Sequence, residues 1–251
     1  MKAIVTGSEG FIGKALCRRL ECDFDVIHID TKLGGDAARI APLLAKGGIG
    51  VVFHLAAETS VFNDRLEDIE RENVHAFMKV ATACRRYGVK LVYASSSTAN
   101  TKNTTSMYGM TKRFDEQFAK AYCPRATGVR LHNVYGPNPR EGTLLYNLLN
   151  GPCTIYNDGR NVRHFTFISD VLDGLLKAVD EERQLVNVRN PERSTVRQFC
   201  DEVAKYERLN LNYIDDVRPL DNFEQSVDES IFTLPLRYKT IKQGVAALYD
   251  E

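Results

Sequence analysis

Cysteine pairs are missing from this chain of 251 residues: its six cysteines, at 17, 22, 84, 123, 153 and 200, are scattered, and no two form a C-x-x-C. That argues against a zinc site and against a disulfide framework, and it fits a reducing cytosol. No metal is expected, and the expected location is the cytoplasm. Excess charge of either sign is missing too. With 33 basic and 33 acidic residues the net charge is zero, which points away from nucleic-acid and membrane surfaces. No apolar run reaches the length of a membrane span. The first residues lack a basic region followed by an apolar core, so no secretory leader is expected. Low-complexity segments and clear repeats are absent. A chain of this length can bury one substantial core, with room for a small second lobe.

What is present starts at once. Lys2-Ala3-Ile4-Val5-Thr6 reads as a short buried strand, and Phe11 to about Leu20 reads as a helix. The turn between them has glycines at 7 and 10, with a third at 13. Such glycines permit a tight turn, a close approach of backbone to a ligand, and packing of helix on strand. The helix N-terminus offers free N–H groups and a positive dipole end, which together suit a diphosphate. A bare G-x-x-G-x-x-G is weak evidence. Its weight comes from lying between a strand and a helix, with Asp30 closing the next strand 17 residues after Gly13. A carboxylate there accepts from a ribose 2′-OH and repels a 2′-phosphate, so the pattern predicts a dinucleotide site and favours NAD over NADP. Lys32, close by, works against that preference.

Further along, a helix is expected over 37–45 with Asp36 as its cap. Residues 49–55 form an almost unbroken apolar run, as in a central parallel strand, and end in Ala56-Ala57. His54 reads as structural, since it precedes the strand end and no Asp or Ser is spaced for a relay. A helix follows over 73–87, with Val74, Phe77, Ala81 and Cys84 on one face and Gly88 ending it. A strand over 89–94 runs into Ser95–Thr98, then come a helix over 106–122 and a strand over 128–134. Strands alternating with helices indicate an α/β chain with a doubly wound parallel sheet. Ligands of such sheets bind at the C-terminal strand ends, where Gly7–Gly13, Asp30, Ala56-Ala57, Ser95–Ser97 and Asn133 all fall. Beyond Pro139 the pattern loosens into a short helix (144–149), a strand and turn (154–159), a strand (163–168), a helix (171–178) and mixed short elements. The expected division is 1–136 with 165–182 for the nucleotide-binding domain, and 137–164 with 183–251 for a small lobe closing over the ligand side.

Tyr108 and Lys112 stand at i and i+4, on one helical face. A free tyrosine, with a pKa of about 10, is a poor base at neutral pH. A nearby ammonium and a cationic nicotinamide favour the phenolate, which can then take a proton from an alcohol. Ser96, at a strand end, is suited to orient the same oxygen. Y-x-x-x-K also arises by chance, and Tyr238 to Lys242 is a second instance. That copy lacks a preceding serine-bearing strand end and is taken as the false positive.

The segments TGSEGFIG (6–13), HLAA (54–57), YASSS (93–97), YGMTK (108–112) and RLHNVYGP (130–137) occur in this order. IYNDGRNVRHFTFISDV (155–171), RPLD (218–221) and the final LPLRYKTIKQGVAAL follow. Through them, over nearly its whole length, the chain resembles extended short-chain dehydrogenases/reductases of the NAD-dependent epimerase/dehydratase group, UDP-glucose 4-epimerases among them. The resemblance implies a Rossmann-type fold and a catalytic set of Ser96, Tyr108 and Lys112, with Lys112 also on the nicotinamide ribose. It implies NAD held by Gly7, Gly10, Phe11, Ile12 and Asp30, with Asp36 and Ala37 near the adenine. Leu55, Ala56, Ala57 and Asn73 would line the rest of the groove. Asn133, Tyr156, Arg163, Arg218 and Asp221 match positions that contact the nucleotide sugar, a UDP- or GDP-hexose. Two guanidinium groups suit its diphosphate. Relatives pair the helices over 73–87 and 106–122 with their copies, so a homodimer is expected.

Departures from the family pattern matter. Ala99-Asn100-Thr101 replaces the usual Val-Tyr-Gly, and the segment from Ser96 to Tyr108 is short. That leaves two expectations, an open sugar pocket or one completed by a partner chain. The stretch after Asp30 is short too, which predicts a vestigial third strand. His132 stands where an aromatic often faces the nicotinamide. Related dehydratases carry an Asp-Glu pair after the catalytic hydroxyl residue, and related decarboxylases a Glu at the position of Thr98. Ser97-Thr98 supplies no carboxylate, so both readings drop. The expected activity is epimerisation at C4 through a 4-keto sugar. A keto-sugar reductase and a non-catalytic NAD-binding protein are the alternatives.

Overall fold

Alternate residues of the first strands face opposite layers, and this fixes the architecture. In β1 (Lys2–Thr6) Val5 points into one core and Ile4 into another, both fully buried. A computed structural model describes residues 2–59, 65–103, 106–218 and 221–250 of the protein. After β1 come α1 (Phe11–Leu20), β2 (Asp25–Ile29), α2 (Ala41–Ala45), β3 (Ile49–His54), α3 (Leu66–Ile69) and α4 (Ala76–Tyr87). Next are β4 (Lys90–Ser96), α5 (Met107–Tyr122), β5 (Ala126–Leu131), β6 (Val134–Tyr135), α6 (Leu144–Asn150), β7 (Cys153–Ile155) and β8 (Val162–Arg163). The chain continues with β9 (Thr166–Phe167), α7 (Ile168–Lys177), β10 (Leu185–Val188), β11 (Ser194–Thr195), α8 (Val196–Val203), β12 (Leu211–Tyr213) and α9 (Ile241–Ala246).

Six strands pair in parallel in the order β2-β1-β3-β4-β5-β10. From β1 the chain first builds β2 on one side and then β3 on the other, so the sheet has a switch point at the C-terminal end of β1. Val51 and Phe53 of β3 share the core of Val5, while Val52 shares that of Ile4, which is the alternation of a strand covered on both faces. The Rossmann-type α/β expectation is met. Short pairs β8–β11, β7–β12 and β6–β9 build the region beyond.

Several boundaries differ from expectation. The helix over 37–45 is instead a tight turn, Ala37–Arg39, capped by Asp36, followed by α2. Pro42 prevents one continuous helix, because it has no N–H and its ring meets the carbonyl four residues back. Nothing between β2 and β3 forms a strand, so the third strand is absent and β2 is the outer edge of the sheet. The helix expected from 73 begins at Leu66 and passes through a wide π turn, Glu70–His75, before α4. The strand and turn over 154–159 are present as β7, ending at Ile155, and a turn in which Asn157 and Asp158 take positive φ (51° and 54°). The strand over 163–168 splits into β8 and β9, and the helix over 171–178 runs as α7. Leu185–Val188, assigned to the small lobe in the expected division, is the outer strand β10 of the main sheet.

Two neighbouring helices bury different faces. α4 turns Phe77, Val80, Ala81 and Cys84 to the sheet. α5 buries Thr111, Lys112, Asp115 and Glu116, and leaves Met107, Met110, Phe114 and Tyr122 exposed. No helix among the described residues is long and apolar enough to cross a membrane.

Candidate active site

The turn after β1 is held so closely that side chains are excluded. Gly7 sits at φ +71°, and a Cβ on it would lie 2.6 Å from the backbone nitrogen of Ala56. On Gly13 a Cβ would fall 2.0 Å from the Gly7 carbonyl oxygen. The result is a backbone cradle between the α1 N-terminus and the end of β3. It opens into a cavity of about 1420 Å³ along the C-terminal strand ends. That exceeds the roughly 300–1,000 Å³ usual for one small ligand, and leaves room for two.

Gly7, Gly10, Phe11, Ile12, Asp30, Asp36, Ala37, Leu55, Ala56 and Ala57 all border this cavity. The Asp30 carboxylate accepts the Glu9 N–H at 2.9 Å and the Lys32 N–H at 3.0 Å. These bonds fix it at the mouth of β2 with lone pairs to spare for a ribose diol. The glycine cradle, the helix N-terminus and this carboxylate therefore fit a dinucleotide, whose diphosphate would sit against α1. Asn73, expected in the groove, is instead 1% exposed and does not border the cavity. Its side chain bonds both backbone groups of Glu58 (2.7 and 2.9 Å) and donates to Thr111 Oγ1 at 3.0 Å. Asn73 ties the π turn to α5 rather than facing the cavity.

β4 delivers three serines, and their partners separate them. Ser95 donates to Glu116 at 2.6 Å, and Ser97 Oγ accepts from Gln225 at 2.6 Å. The Ser96 side chain is half-buried, bonds the Thr98 hydroxyl and N–H and no other group among the described residues, and borders the cavity with Tyr108 and Lys112. Ser106 caps α5 by accepting the Gly109 N–H at 3.0 Å, which starts the helix one residue before Tyr108. Lys112 Nζ lies 5.9 Å from the centre of the Tyr108 ring. It also pairs at 3.0 Å with Asp115, and both side chains are almost wholly buried.

Burial disfavours the Lys112 ammonium, but Asp115 and Tyr108 outweigh it and hold its pKa above the ordinary lysine value. Burial also pushes the Asp115 carboxyl up, against the pull of Lys112. The first direction keeps the pair charged and the second works against it. The short contact favours the charged pair, since an ammonium there has a carboxylate to answer it. His54 is buried under the strand end, bonds Thr6 at 2.7 Å, and is pushed down to a pKa of about 3 by burial and by Lys112. It is structural, as expected. His132, at a position where relatives often have an aromatic facing the nicotinamide, does not border the cavity. It packs edge-on against His164 at 5.9 Å, and burial lowers its pKa to about 3.

Of the residues expected to contact a nucleotide sugar, Asn133, Arg218 and Asp221 border the cavity, whereas Tyr156 and Arg163 do not. Arg163 stands behind and pairs with the Asp221 carboxylate, and the Arg218 guanidinium lies 5.8 Å over the Tyr156 ring. The shortened segment after Ser96 is closed from within the chain. Asn103 donates to Ser97 O (2.9 Å) and Ser226 O (3.1 Å) and accepts the Ser226 N–H (2.7 Å), while Asn100 donates to Ser226 O (3.1 Å). Thr104 and Thr105 of that segment, and Pro219 and Leu220 of RPLD, lie outside the described residues. Among the residues at or beside the site that the sequence reading did not name are Arg140 and Gln225, which border the cavity, and Asp115, which stands behind Lys112. Only Asp115 had a signal, its spacing of three from Lys112.

The second Y-x-x-x-K has no such setting. The Tyr238 hydroxyl donates to Leu234 O at 3.0 Å, and Lys242 is exposed on α9.

Residues 3–189 match the sequence model of the NAD dependent epimerase/dehydratase family. An uncharacterized UDP-glucose epimerase, YtcB, of Bacillus subtilis is 29% identical over 252 residues, covering 78% of this chain and 79% of the relative. Among solved structures, MoeE5 in complex with UDP-glucuronic acid and NAD superposes with a TM-score of 0.84 at 26% identity, covering 98% of this chain and 97% of that one. UDP-glucuronic acid 4-epimerase from Bacillus cereus shares the fold, with a TM-score of 0.80 at 22% identity over 99% and 98% of the two chains. Decarboxylases and a hexosamine 5,6-dehydratase also match.

Proposed function

The chain belongs to the NAD dependent epimerase/dehydratase family, and from that premise we propose that it is a nucleotide-sugar epimerase acting at C4. The observation that carries this reading is the convergence of Ser96, Tyr108 and Lys112 on one cavity that is also lined by Asn133, Arg218 and Asp221. Tyr108 takes the proton of the sugar hydroxyl, Ser96 hydrogen-bonds the same oxygen, and Lys112 holds the nicotinamide ribose and favours the phenolate. NAD, the cofactor of this family, would be held by Gly7, Gly10, Asp30 and Lys112 along this cavity and would supply a reversible hydride acceptor beside Tyr108. Arg218 binds the substrate diphosphate, backed by Tyr156, while Arg163 orients Asp221. Thr98, a hydroxyl where decarboxylation would need a carboxylate, supports epimerisation over the other activities of the family.

The test supplies a UDP- or GDP-hexose without added reductant and follows the sugar by NMR. A second stereoisomer should appear with no accumulation of reduced cofactor. Stoichiometric oxidation of added NADH by a 4-keto sugar, without interconversion of hexoses, would make the protein a reductase.

We also propose a homodimer built on α5. Its apolar residues Met110 and Phe114 are 48% and 37% exposed, although a lone soluble helix would turn them inward. A monomer mass by light scattering at micromolar concentration would refute it. Six cysteines free of disulfides support a cytoplasmic location.

A further inference from the structure

Lys112 has its charge answered from inside the fold. Its ammonium donates to Asp115 Oδ2 at 3.0 Å, one turn further along α5, and Asp115 is its one hydrogen-bond partner among the described residues. Asp115 has no exposed surface and does not border the cavity, whereas Lys112 does. The neighbouring Glu116 carboxylate is occupied by two Arg130 N–H bonds at 2.7 Å and by Ser95. His54, which faces Lys112 from β3, is kept neutral by burial. Asp115 is thus the counter-charge of a buried ammonium, and a buried ion that loses its partner is strongly destabilised. An ammonium has three N–H donors. One bonds Asp115, which leaves two without a hydrogen-bond partner among the described residues on a side chain that borders the cavity.

We propose that Asp115 is a positioning residue for cofactor binding: it anchors the Lys112 ammonium from behind, so that the remaining N–H bonds meet the vicinal diol of the nicotinamide ribose. This rests on Lys112 as the ribose contact. Asp115 acts only through Lys112, so its effect is confined to ligands long enough to reach that lysine. NAD is long enough. ADP, which carries the adenosine and diphosphate but no second ribose, is not.

The experiment titrates NAD and ADP by calorimetry into the nucleotide-free protein and its variants. Lys112→Met should lower NAD affinity by about 10-fold or more, the worth of charge-assisted hydrogen bonds, and leave ADP affinity within about 2-fold. Asp115→Ala should reproduce that pattern. Asp115→Asn, which keeps the shape and one acceptor, should lower the NAD-to-ADP affinity ratio by roughly 3-fold, and it decides the matter if the alanine variant does not fold. Adding Asp115→Asn to Lys112→Met should change nothing further, because the effect runs through one side chain. If Lys112→Met lowers the ratio while neither Asp115 variant does, Asp115 is merely structural and the proposal is overturned. Equal weakening of ADP and NAD in the Asp115 variants overturns it as well. If Lys112→Met itself leaves the ratio unchanged, the ribose contact fails and the proposal falls with it. No readout depends on sugar turnover, so an absent epimerase activity leaves the outcome legible.

Discussion

α4 and α5 lie side by side on the same face of the sheet, yet they obey opposite rules. α4 turns its apolar stripe inward, with Phe77 packed against Tyr93 at 4.9 Å and His54 at 5.8 Å. α5 turns inward a polar face in which Thr111, Lys112, Asp115 and Glu116 are buried, and holds Met110 and Phe114 outward. For α4 the free energy of burial comes from apolar area, roughly 25 cal/mol per Å². For α5 the buried groups must be satisfied one by one: Lys112 by Asp115, Glu116 by Arg130 and Ser95, Thr111 by Asn73 and the Tyr108 carbonyl. A helix that turns polar groups inward gives up packing face to them. Its apolar residues are left for another surface.

Four measurements would break or sharpen that contrast. The largest effect belongs to Tyr108→Phe, which should cut turnover by about 100- to 10,000-fold while NAD affinity by calorimetry stays nearly unchanged. Parallel loss of both would mean that the polar face is scaffold rather than chemistry. Phe77→Ala on α4 should cost about 3–5 kcal/mol of stability in denaturant unfolding, since it opens a cavity between sheet and helix. A cost below about 1 kcal/mol would show that the stripe of α4 is not the core contact described. Phe114→Glu on α5 should leave stability within about 0.5 kcal/mol, as for an exposed site, but yield monomers by light scattering. The fourth measurement concerns pH. Folded His54 has a pKa of about 3, so below the ordinary value of 6.5 the unfolded chain binds a proton that the folded protein refuses. Stability is then full above about pH 6.5 and lost as pH falls toward 3, by about 1.4 kcal/mol per unit for this group. Buried His132 adds to that slope, and the Asp115 carboxyl, raised by burial, opposes it. His54→Gln should flatten the acid limb of a chemical-denaturation series between pH 4 and 6.5.

Where backbone geometry makes the site, the sequence was readable. Gly7 and Gly13 leave no room for a Cβ, Asp30 closes a strand, and Ala56-Ala57 ends one, so their residue types follow from position alone. Where side chains meet from distant segments, it was less so. Tyr156 and Arg163 were grouped with Arg218 and Asp221, yet they form a second layer, because one-turn and two-residue strand geometry decides which way each faces. Asn73 was drawn into the cofactor groove because the sequence gives no sign of the π turn, which rotates it toward Glu58 and Thr111. The apolar stripe of α5 was visible as a stripe, but spacing cannot say whether a stripe faces in or out. The answer came from Lys112 and Asp115, which occupy the inner face.

The absent third strand leaves a mark at the other end of the molecule. β2 pairs with β1 alone, so one row of its amides and carbonyls has no ladder partner. An open edge of that kind invites a foreign strand to add itself. The residues of β2 guard against it: Asp25, paired with Lys2 at 3.2 Å, and His28, paired with Glu21 at 3.2 Å, set charge and polarity along a strand of only five residues. Replacing Asp25 and His28 by valine would lengthen the apolar run of the edge and convert a protected border into a site for chain-to-chain pairing. The border of the shortened sheet is therefore guarded by what its own strand carries.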